Sequence, residues 1–314
     1  MTGAQPLVHD ALFYANDEDF VDSLGPWLRD GLARGDAAVV ATTRRHIELL
    51  RDELGRQAGE VSFIEDTEWY LRPAQTMAGW DRILRNTATR GKHFTRIVGE
   101  VLFRGDDEAD TWTRFESALN HSFRSAPTWI VCPYDRRSRS DRVLRDAERT
   151  HPTLWTDERR PSHRYVEPAA LLAAIAEPEP PANGTPDIDL PLDGDVGEVR
   201  ELIRRAAFGA PCPQPLGRID DLLLAFSEIA ANSLRHGAGR RRVALWVLCD
   251  RVVCEVTDEG RGRLDPLAGY VPPEDVAVGG VGIWLARLVT DALAIRSDHL
   301  GTSVRFAIGG GRTA

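Results

Sequence analysis

The sequence predicts an α/β domain followed by an α+β domain. Short apolar strands alternate with helices over the first half of the 314 residues, a pattern typical of a mostly parallel sheet covered on both faces. Residues 177–187 (EPEPPANGTPD) are rich in proline and acidic side chains and lack apolar periodicity, which predicts a stiff linker. The second half combines an amphipathic helix, alternating strands and glycine-bearing turns. We therefore place the domains at 1–176 and 188–314.

Composition limits the function classes. The net charge is −9, which argues against nucleic acid as a main partner. No apolar run is long enough to cross a bilayer, and the first nine residues lack the features of a signal peptide, so we expect a cytoplasmic protein. The four cysteines form no Cys-x-x-Cys pair and suggest no zinc site.

The first half alternates strands and helices in chain order. Acidic residues 17–19 in the first turn of a helix favour the positive end of its dipole. The only lysine, Lys92, follows Gly91 but precedes His93, and the upstream glycine of a phosphate-binding P-loop is missing. We predict strands over 11–15, 37–41, 61–64, 94–102 and 128–131, and helices over 17–34, 44–54, 73–89 and 108–124.

Ligands of such sheets bind beyond the carboxyl ends of the strands. Here those ends lie near Tyr14-Ala15-Asn16, Thr42-Thr43, Glu100 and Cys132-Pro133-Tyr134-Asp135. The side chains that we expect to contact a signal are His9, Cys132 and Tyr134. Each of the three is also compatible with an ordinary buried role, as a small core residue or a locally bonded ring.

These motifs resemble the MEDS sensory domain, an α/β fold that is P-loop-like but lacks the P-loop. The resemblance rests on His9 before a strand ending in Tyr14, on Gly35-Asp36 before a strand, on Cys132-Pro133-Tyr134-Asp135 and on Thr150-His151-Pro152. It implies that the domain senses a small signal. His151 precedes a proline like the phosphoacceptor of sensor kinases, but a helix is disfavoured there and no long apolar-periodic helix flanks it, so we expect no phosphoacceptor.

The second half is organised around residues 220–237. We predict a strand over 188–192 and a helix over 196–208, then an amphipathic helix ending at Gly237 as a C-cap. Glu228 and Asn232 are four residues apart on one helix face. A carboxylate and an amide placed this way suit Mg²⁺ and a hydroxyl nucleophile, although a solvated pair would look the same.

The following segments add glycines and an acid in a fixed order. Strands over 242–248 and 252–257 end at Asp258-x-Gly260-x-Gly262, where a buried Asp suits an exocyclic amine. Gly280 and Gly282 open a predicted helix over 283–293, a seat for phosphate. Thr302 lies near the start of a last strand, 301–306.

This order resembles the ATP-binding (Bergerat) sandwich of the GHKL superfamily, over residues 187–308. The resemblance implies ATP and Mg²⁺ as cofactors. It assigns Glu228 and Asn232 to the N box, with Asn232 on the metal and Glu228 as general base. It assigns the glycine boxes and the adenine contacts to Asp258, Gly260, Gly262, Gly280, Gly282 and Thr302.

Among GHKL proteins, the domain looks most like the anti-sigma-factor serine kinases. The segment between the glycine boxes is short, the printed sequence ends soon after the last strand, and no phosphoacceptor helix precedes the domain. This resemblance implies a sigma factor and a STAS-type anti-anti-sigma protein as partners, and a dimer. Arg235 and His236 are placed either near the γ-phosphate or in plain helix-end roles. Two alternatives stay open: a nucleotide switch without transferase activity, and an unorthodox histidine kinase.

Overall fold

The computed structural model describes residues 7–101, 103, 105, 108–209, 216–261, 265–271 and 281–309. The chain divides into two compact units, Met1–Ile175 and Ala176–Ala314. Across the described ranges, no helix has both the length and the apolar character needed to cross a membrane.

The first unit is an α/β fold with a mostly parallel sheet, as predicted. Its described strands follow the order β3-β2-β4-β5-β1-β6-β7, and only the β6–β7 pair is antiparallel. The strands are β1 (Val8–Tyr14), β2 (Ala37–Thr42), β3 (Val61–Glu65), β4 (Thr95–Gly99), β5 (Thr128–Asp135), β6 (Thr153–Trp155) and β7 (Arg159–Pro161). The helices are α1 (Asp17–Ala33), α2 (Arg44–Leu54), α3 (Asp66–Trp69), α4 (Pro73–Thr89), α5 (Ala109–Ser122), α6 (Asp141–Thr150) and α7 (Pro168–Ala174).

Local sequence explains how these elements begin and which face they bury. The Asn16 side chain accepts a hydrogen bond from the Asp19 N–H and caps α1, and Thr43 caps α2 in the same way. Strand β2 is almost wholly buried, as expected of a strand between two neighbours in a parallel sheet. One core packs α1 and α2 against the sheet through Leu12, Phe20, Leu24, Leu28, Val40, Leu50, Val98 and Val131.

Strand β5 is longer than predicted and includes Cys132, Pro133 and Tyr134. Its pairing with β4 ends at Val131, but its pairing with β1 continues to Asp135. A proline is tolerated at such a place because one side of the strand no longer needs a ladder bond. The strand predicted over 94–102 is shorter in the structure (β4). The elements α3, α6, α7, β6 and β7 were not predicted.

Lys92 lies at the amino-terminal edge of this sheet, in the turn before β4. Its exposed ammonium donates a hydrogen bond to the carbonyl of Gly35 at 2.9 Å. Gly35 has a φ of +83° in the turn before β2, a conformation that a side chain would disfavour.

The second unit contains an antiparallel sheet with helices, as expected for an α+β domain. Its described strands follow the order β11-β12-β10-β9-β8. They are β8 (Ile188–Pro191), β9 (Arg241–Val247), β10 (Arg251–Asp258), β11 (Ala292–Ser297) and β12 (Thr302–Gly309). The helices are α8 (Val196–Phe208), α9 (Ile219–His236) and α10 (Val281–Val289). The core contains Leu192, Ile203, Leu222, Phe226, Ile229, Leu245, Cys254 and Phe306.

The helix predicted over 283–293 was wrong at its end. Helix α10 stops at Val289, where the Thr290 hydroxyl and N–H both bond to the Ala286 carbonyl. Residues Ala292–Ser297 instead form β11, which pairs with β12 along its whole length. Thr290 and Asp291 interrupt the apolar run, but two polar residues also fit the exposed face of a helix, so only the long-range partner strand distinguishes the two structures.

The segment predicted as a linker packs against the second unit. Glu177 forms an ion pair with Arg287 at 2.6 Å and accepts the Ile295 N–H at 2.7 Å. Further along, Trp246 donates its indole N–H to the Gly184 carbonyl, and Asp187 accepts the Val247 N–H. Glu177 and Asp187, which resemble residues of a solvated spacer in the sequence, therefore fix the segment to the second unit.

Candidate functional site

The exposed side of α9 lies beside the start of α10. The buried face of α9 faces the core, which leaves Glu228 and Asn232 half-buried on its opposite side, one turn apart. A Cβ atom at Gly282 would lie 2.7 Å from Glu228 Oε2 and 3.2 Å from Asn232 Nδ2. The start of α10 therefore lies directly against these two side chains, and a side chain at position 282 would displace the Glu228 carboxylate.

The two polar groups on α9 differ in their hydrogen bonds. Within the described ranges, the Glu228 carboxylate forms no hydrogen bond or ion pair. The Asn232 amide oxygen accepts a bond from Arg235 at 3.0 Å. A cation at this oxygen would displace the Arg235 guanidinium, and that displacement costs little because Arg235 is exposed. His236 is exposed at the helix end.

Asp258 ends strand β10 and faces the same helix. Its Oδ2 accepts the Ser233 hydroxyl at 2.8 Å, and its Oδ1 accepts the Gly260 N–H at 2.8 Å. The side chain is half-buried rather than fully buried as predicted. A carboxylate has about four lone-pair sites, so capacity remains for the amine of a bound base.

Glycines surround the Asp258 carboxylate closely. Gly237 ends α9, but with φ −72° and ψ 169° it is not the left-handed cap that we expected. The requirement at this position is space, because a Cβ would lie 2.6 Å from the Asp258 carboxylate. Gly301 has a φ of +144°, and a Cβ there would lie 2.0 Å from the Asp258 carbonyl oxygen. Both residues are needed for the chain to pass this close.

The structure brings most of the predicted nucleotide-site residues together. Thr302 donates its hydroxyl hydrogen to the Gly260 carbonyl at 2.9 Å, next to Asp258. Ser233, whose hydroxyl bonds to Asp258, directly follows Asn232 on α9. Gly262 and Gly280 lie outside the described residues. The donor set fits the predicted cofactors: an amide and a free carboxylate suit Mg²⁺, and the Asp258 carboxylate suits an amine. The assigned roles remain predictions.

A cavity of about 390 Å³ opens at the carboxyl edge of the sheet in the first unit. Its volume falls within the range of small-ligand sites. Each predicted strand end contributes one residue to its lining, namely Tyr14, Thr43, Glu100 and Asp135, whereas Cys132 and Tyr134 of the last strand end are not among the lining residues. The remaining lining residues are Asp17, Arg45, His46, Arg137, Ser138 and Arg139.

Glu100 is the buried acid of this cavity. It accepts hydrogen bonds from the Tyr14 hydroxyl at 2.7 Å, from His46 Nδ1 at 2.8 Å and from the Thr42 hydroxyl. Burial acts to raise the pKa of Glu100, but the bonds from His46, Thr42 and Tyr14 outweigh it and lower the pKa below its usual value. Burial and the neighbouring Glu100 raise the pKa of Tyr14, which remains a neutral donor.

Ion pairs form the rim of the cavity. Arg137 bonds to Asp135 at 2.9 Å and lies 3.4 Å from Asp17, which also pairs with Arg45 at 2.5 Å. These pairs are partly exposed, so a ligand can replace either partner at low cost. Arg139 lies deeper, donating to the Val101 and Phe103 carbonyls.

The three sensory candidates lie elsewhere. His9, Cys132 and Tyr134 are each at most 3% exposed, and none is among the described residues that line the cavity. Their side chains face α5 and the end of α6, opposite the face packed by α1. Their predicted contact with a signal remains a prediction.

Sequence reasoning missed several residues of these sites. Asp17 and His46 sit in helices that follow strand ends, and nothing local distinguishes them from solvated residues. Glu116 and Asn120 had a usable signal, because they fall on the apolar stripe of α5 beside Trp112 and Leu119. An acid in the middle of a buried stripe requires a partner.

Comparison with known families identifies both units. Residues 8–152 match the model of the MEDS family, the MEthanogen/methylotroph, DcmR Sensory domain. Residues 191–308 match the model described as histidine kinase-like ATPase domain. No curated protein matches the chain.

Proposed function

We propose that this chain, in which a MEDS sensory domain precedes a histidine kinase-like ATPase domain, is a signal-responsive anti-sigma regulator of the serine kinase type. It binds Mg-ATP, phosphorylates a serine or threonine of a STAS-type anti-anti-sigma protein, and sequesters a sigma factor. The observation that supports this most is the Glu228 carboxylate. It lies beside Gly282 at the start of α10 and has no hydrogen-bond partner among the described residues.

Each residue then has a defined task. Asp258 accepts a bond from the exocyclic amine of adenine, with Thr302 next to it, and the start of α10 at Gly282 receives the phosphates, with Gly280 assigned the same role by the sequence. Asn232, together with phosphate oxygens, would hold Mg²⁺, and the ion would neutralise the phosphate charge. Glu228 accepts the proton of the attacking hydroxyl as its oxygen bonds to the γ-phosphorus and the bond to ADP breaks.

The environment of His151 argues against this residue as the phosphoacceptor. His151 is fully buried, and its Nδ1 donates to the Ala147 carbonyl at 2.9 Å. Burial, followed by the neighbouring His9, lowers the pKa of His151 well below its usual value. A histidine without access to solvent is a poor acceptor for a phosphoryl group from another domain.

The cavity at Glu100 supports a small polar molecule as the signal. Its floor offers an ionised carboxylate, and its rim offers arginines and acids that can exchange partners. A molecule with both donor and acceptor groups matches this lining. Binding biases the exchange of partners by a difference in affinity for two states of the protein.

Asp258→Asn should weaken or abolish Mg-ATP binding. The wild-type chain is expected to bind in the micromolar range, and loss of a charged acceptor costs roughly 10- to 100-fold or more in affinity. Titration calorimetry on the full chain measures this, with Asp250→Asn as a control in an exposed turn. Asn232→Ala should remove the Mg²⁺ dependence. Absence of nucleotide binding by the wild-type protein would overturn the proposal.

Glu228→Gln should retain Mg-ATP binding but lose transfer. Removal of a general base lowers the rate by about 10²- to 10⁴-fold. The measurement is transfer of labelled phosphate to purified STAS-domain proteins, with Glu198→Gln on the exposed face of α8 as the control. Acid-stable label is expected. Acid-labile label would favour a histidine kinase, and regulation unaltered by Glu228→Gln would favour a nucleotide switch.

A further inference from the structure

Four side chains able to bind a metal meet in the interior of the first unit, away from the cavity. They are His9 on β1, Glu116 on α5, Cys132 on β5 and His151 directly after α6. One ligand atom from each lies within 4.8 Å of the others. All four residues are at most 3% exposed.

Four separations between the ligand atoms match a tetrahedral coordination shell. His9 Nε2 lies 3.4 Å from Cys132 Sγ and 3.4 Å from Glu116 Oε2. Glu116 Oε2 lies 3.3 Å from Cys132 Sγ and 3.5 Å from His151 Nε2. Ligand atoms at 2.0–2.3 Å from a tetrahedral ion are about 3.3–3.7 Å apart. Four of the six separations lie in or next to this range, and the two from His151 Nε2 to His9 Nε2 and to Cys132 Sγ are at most 4.8 Å. A small movement of the His151 ring toward the cluster completes such a shell.

Hydrogen bonds on the outer side orient both imidazoles. His9 Nδ1 lies 3.0 Å from Asn120 Oδ1, and Asn120 directs its amide hydrogens to the Thr150 carbonyl at 2.7 Å. His151 Nδ1 donates to the Ala147 carbonyl. Each Nδ1 thus has its hydrogen directed outward, and each Nε2 directs a lone pair into the cluster. Metal-binding histidines have this arrangement.

His151 Nε2 provides independent evidence. It is buried and has no hydrogen-bond partner among the described residues. The nearest charged atom is a Glu116 oxygen at 3.5 Å. Because a carboxylate oxygen and this nitrogen both accept hydrogen bonds, two lone pairs face each other in the interior. A cation between them removes that cost.

The charges of the ligands also suit a divalent ion. One thiolate and one carboxylate neutralise M²⁺, so no net charge remains buried. Binding replaces the thiol hydrogen of Cys132 by the metal and releases one proton to solvent. Thiolate and imidazole ligands select zinc, cobalt or iron over magnesium and calcium.

We propose that this cluster binds one divalent transition-metal ion of the zinc class through His9 Nε2, Glu116 Oε2, Cys132 Sγ and His151 Nε2. The ion links β1, β5, α5 and the end of α6. The spacing of the cysteines suggested no zinc site, because a spacing pattern reveals only ligands that lie close together in the sequence. This site lies outside the proposed kinase activity and does not depend on it.

Cobalt titration of the full, chelator-treated chain tests the proposal. We expect one Co²⁺ per chain, the strong visible bands of tetrahedral cobalt and a thiolate-to-cobalt charge-transfer band, all removed by Zn²⁺. Cys132→Ser should lose the charge-transfer band and bind at least about tenfold more weakly. Cys254→Ser, at a buried cysteine of the second unit, is the matched control and should change neither the cobalt stoichiometry nor the charge-transfer band.

If Cys132→Ser does not fold, X-ray absorption on the zinc-loaded wild-type chain still identifies the ligand atoms of the metal. One sulfur at about 2.3 Å and nitrogen or oxygen neighbours at about 2.0–2.1 Å are expected. Glu116→Gln should retain the charge-transfer band with weaker binding. No bound ion, an octahedral cobalt spectrum without a sulfur neighbour, or a charge-transfer band that survives Cys132→Ser would each overturn the proposal.

Discussion

Glu100 is a buried carboxylate whose three hydrogen-bond donors keep it ionised. Its pKa in the folded protein lies below the usual value of 4.5. A group with a lowered folded pKa stabilises the fold above its unfolded pKa, and that contribution is lost as the pH falls through the folded pKa. The donors Tyr14, Thr42 and His46 come from three elements, so this one side chain joins β1, β2 and α2 to the end of β4.

Glu100→Gln should therefore destabilise the first unit at pH 7 by about 2–3 kcal/mol, because the bonds to a charged acceptor are lost. The difference from wild type should shrink as the pH falls below about 4.5. Urea unfolding followed by tryptophan fluorescence measures this, since six of the eight tryptophans lie in this unit. Glu60→Gln, at an exposed site, is the control. A stability difference between variant and wild type that is as large below about pH 4.5 as at pH 7 would contradict this account.

Residues 177–187 illustrate how an element can be misjudged from composition. Glu177 is 7% exposed and its partner Arg287 is 10% exposed, so their ion pair is nearly dry. The Arg287 guanidinium also lies 4.6 Å from the centre of the Tyr270 ring. Proline and acidic residues are typical of a spacer. In this segment, however, the buried Glu177 carboxylate fixes the start of the segment to the second unit.

Glu177→Ala should destabilise the second unit by about 3–5 kcal/mol, because it leaves Arg287 buried without its countercharge. Glu179→Ala is the matched control. Its pairs with Arg296 and Arg305 are more exposed, so the expected cost is about 1 kcal/mol or less. Hydrogen exchange of peptides from α10 and β11 in the full chain measures both. Equal protection in the two variants would show that the buried pair contributes no more than the exposed ones.

At the scale of the whole molecule, the sequence predicts what depends on local pattern. The strand ends at Tyr14, Thr43, Glu100 and Asp135 meet as expected because parallel strands share one carboxyl edge. Strand β11 could not be distinguished from the end of α10, because its partner β12 decides its conformation. Local pattern can single out Glu116 on the apolar stripe of α5, but it cannot identify the other three members of its cluster. Its four ligands come from four elements, and only the packing of α5 and α6 on the sheet brings them together.

The position of Lys92 has a practical consequence for labelling. It is the only lysine in the chain, so an amine-reactive dye has one side-chain target besides the α-amino group. Lys92 lies at the amino-terminal edge of the sheet, whereas the cavity opens at the carboxyl edge, one strand length away. A dye conjugated there reports on the sensory unit without entering its pocket. Nucleotide analogues that acylate lysine will find no such residue in the ATPase domain.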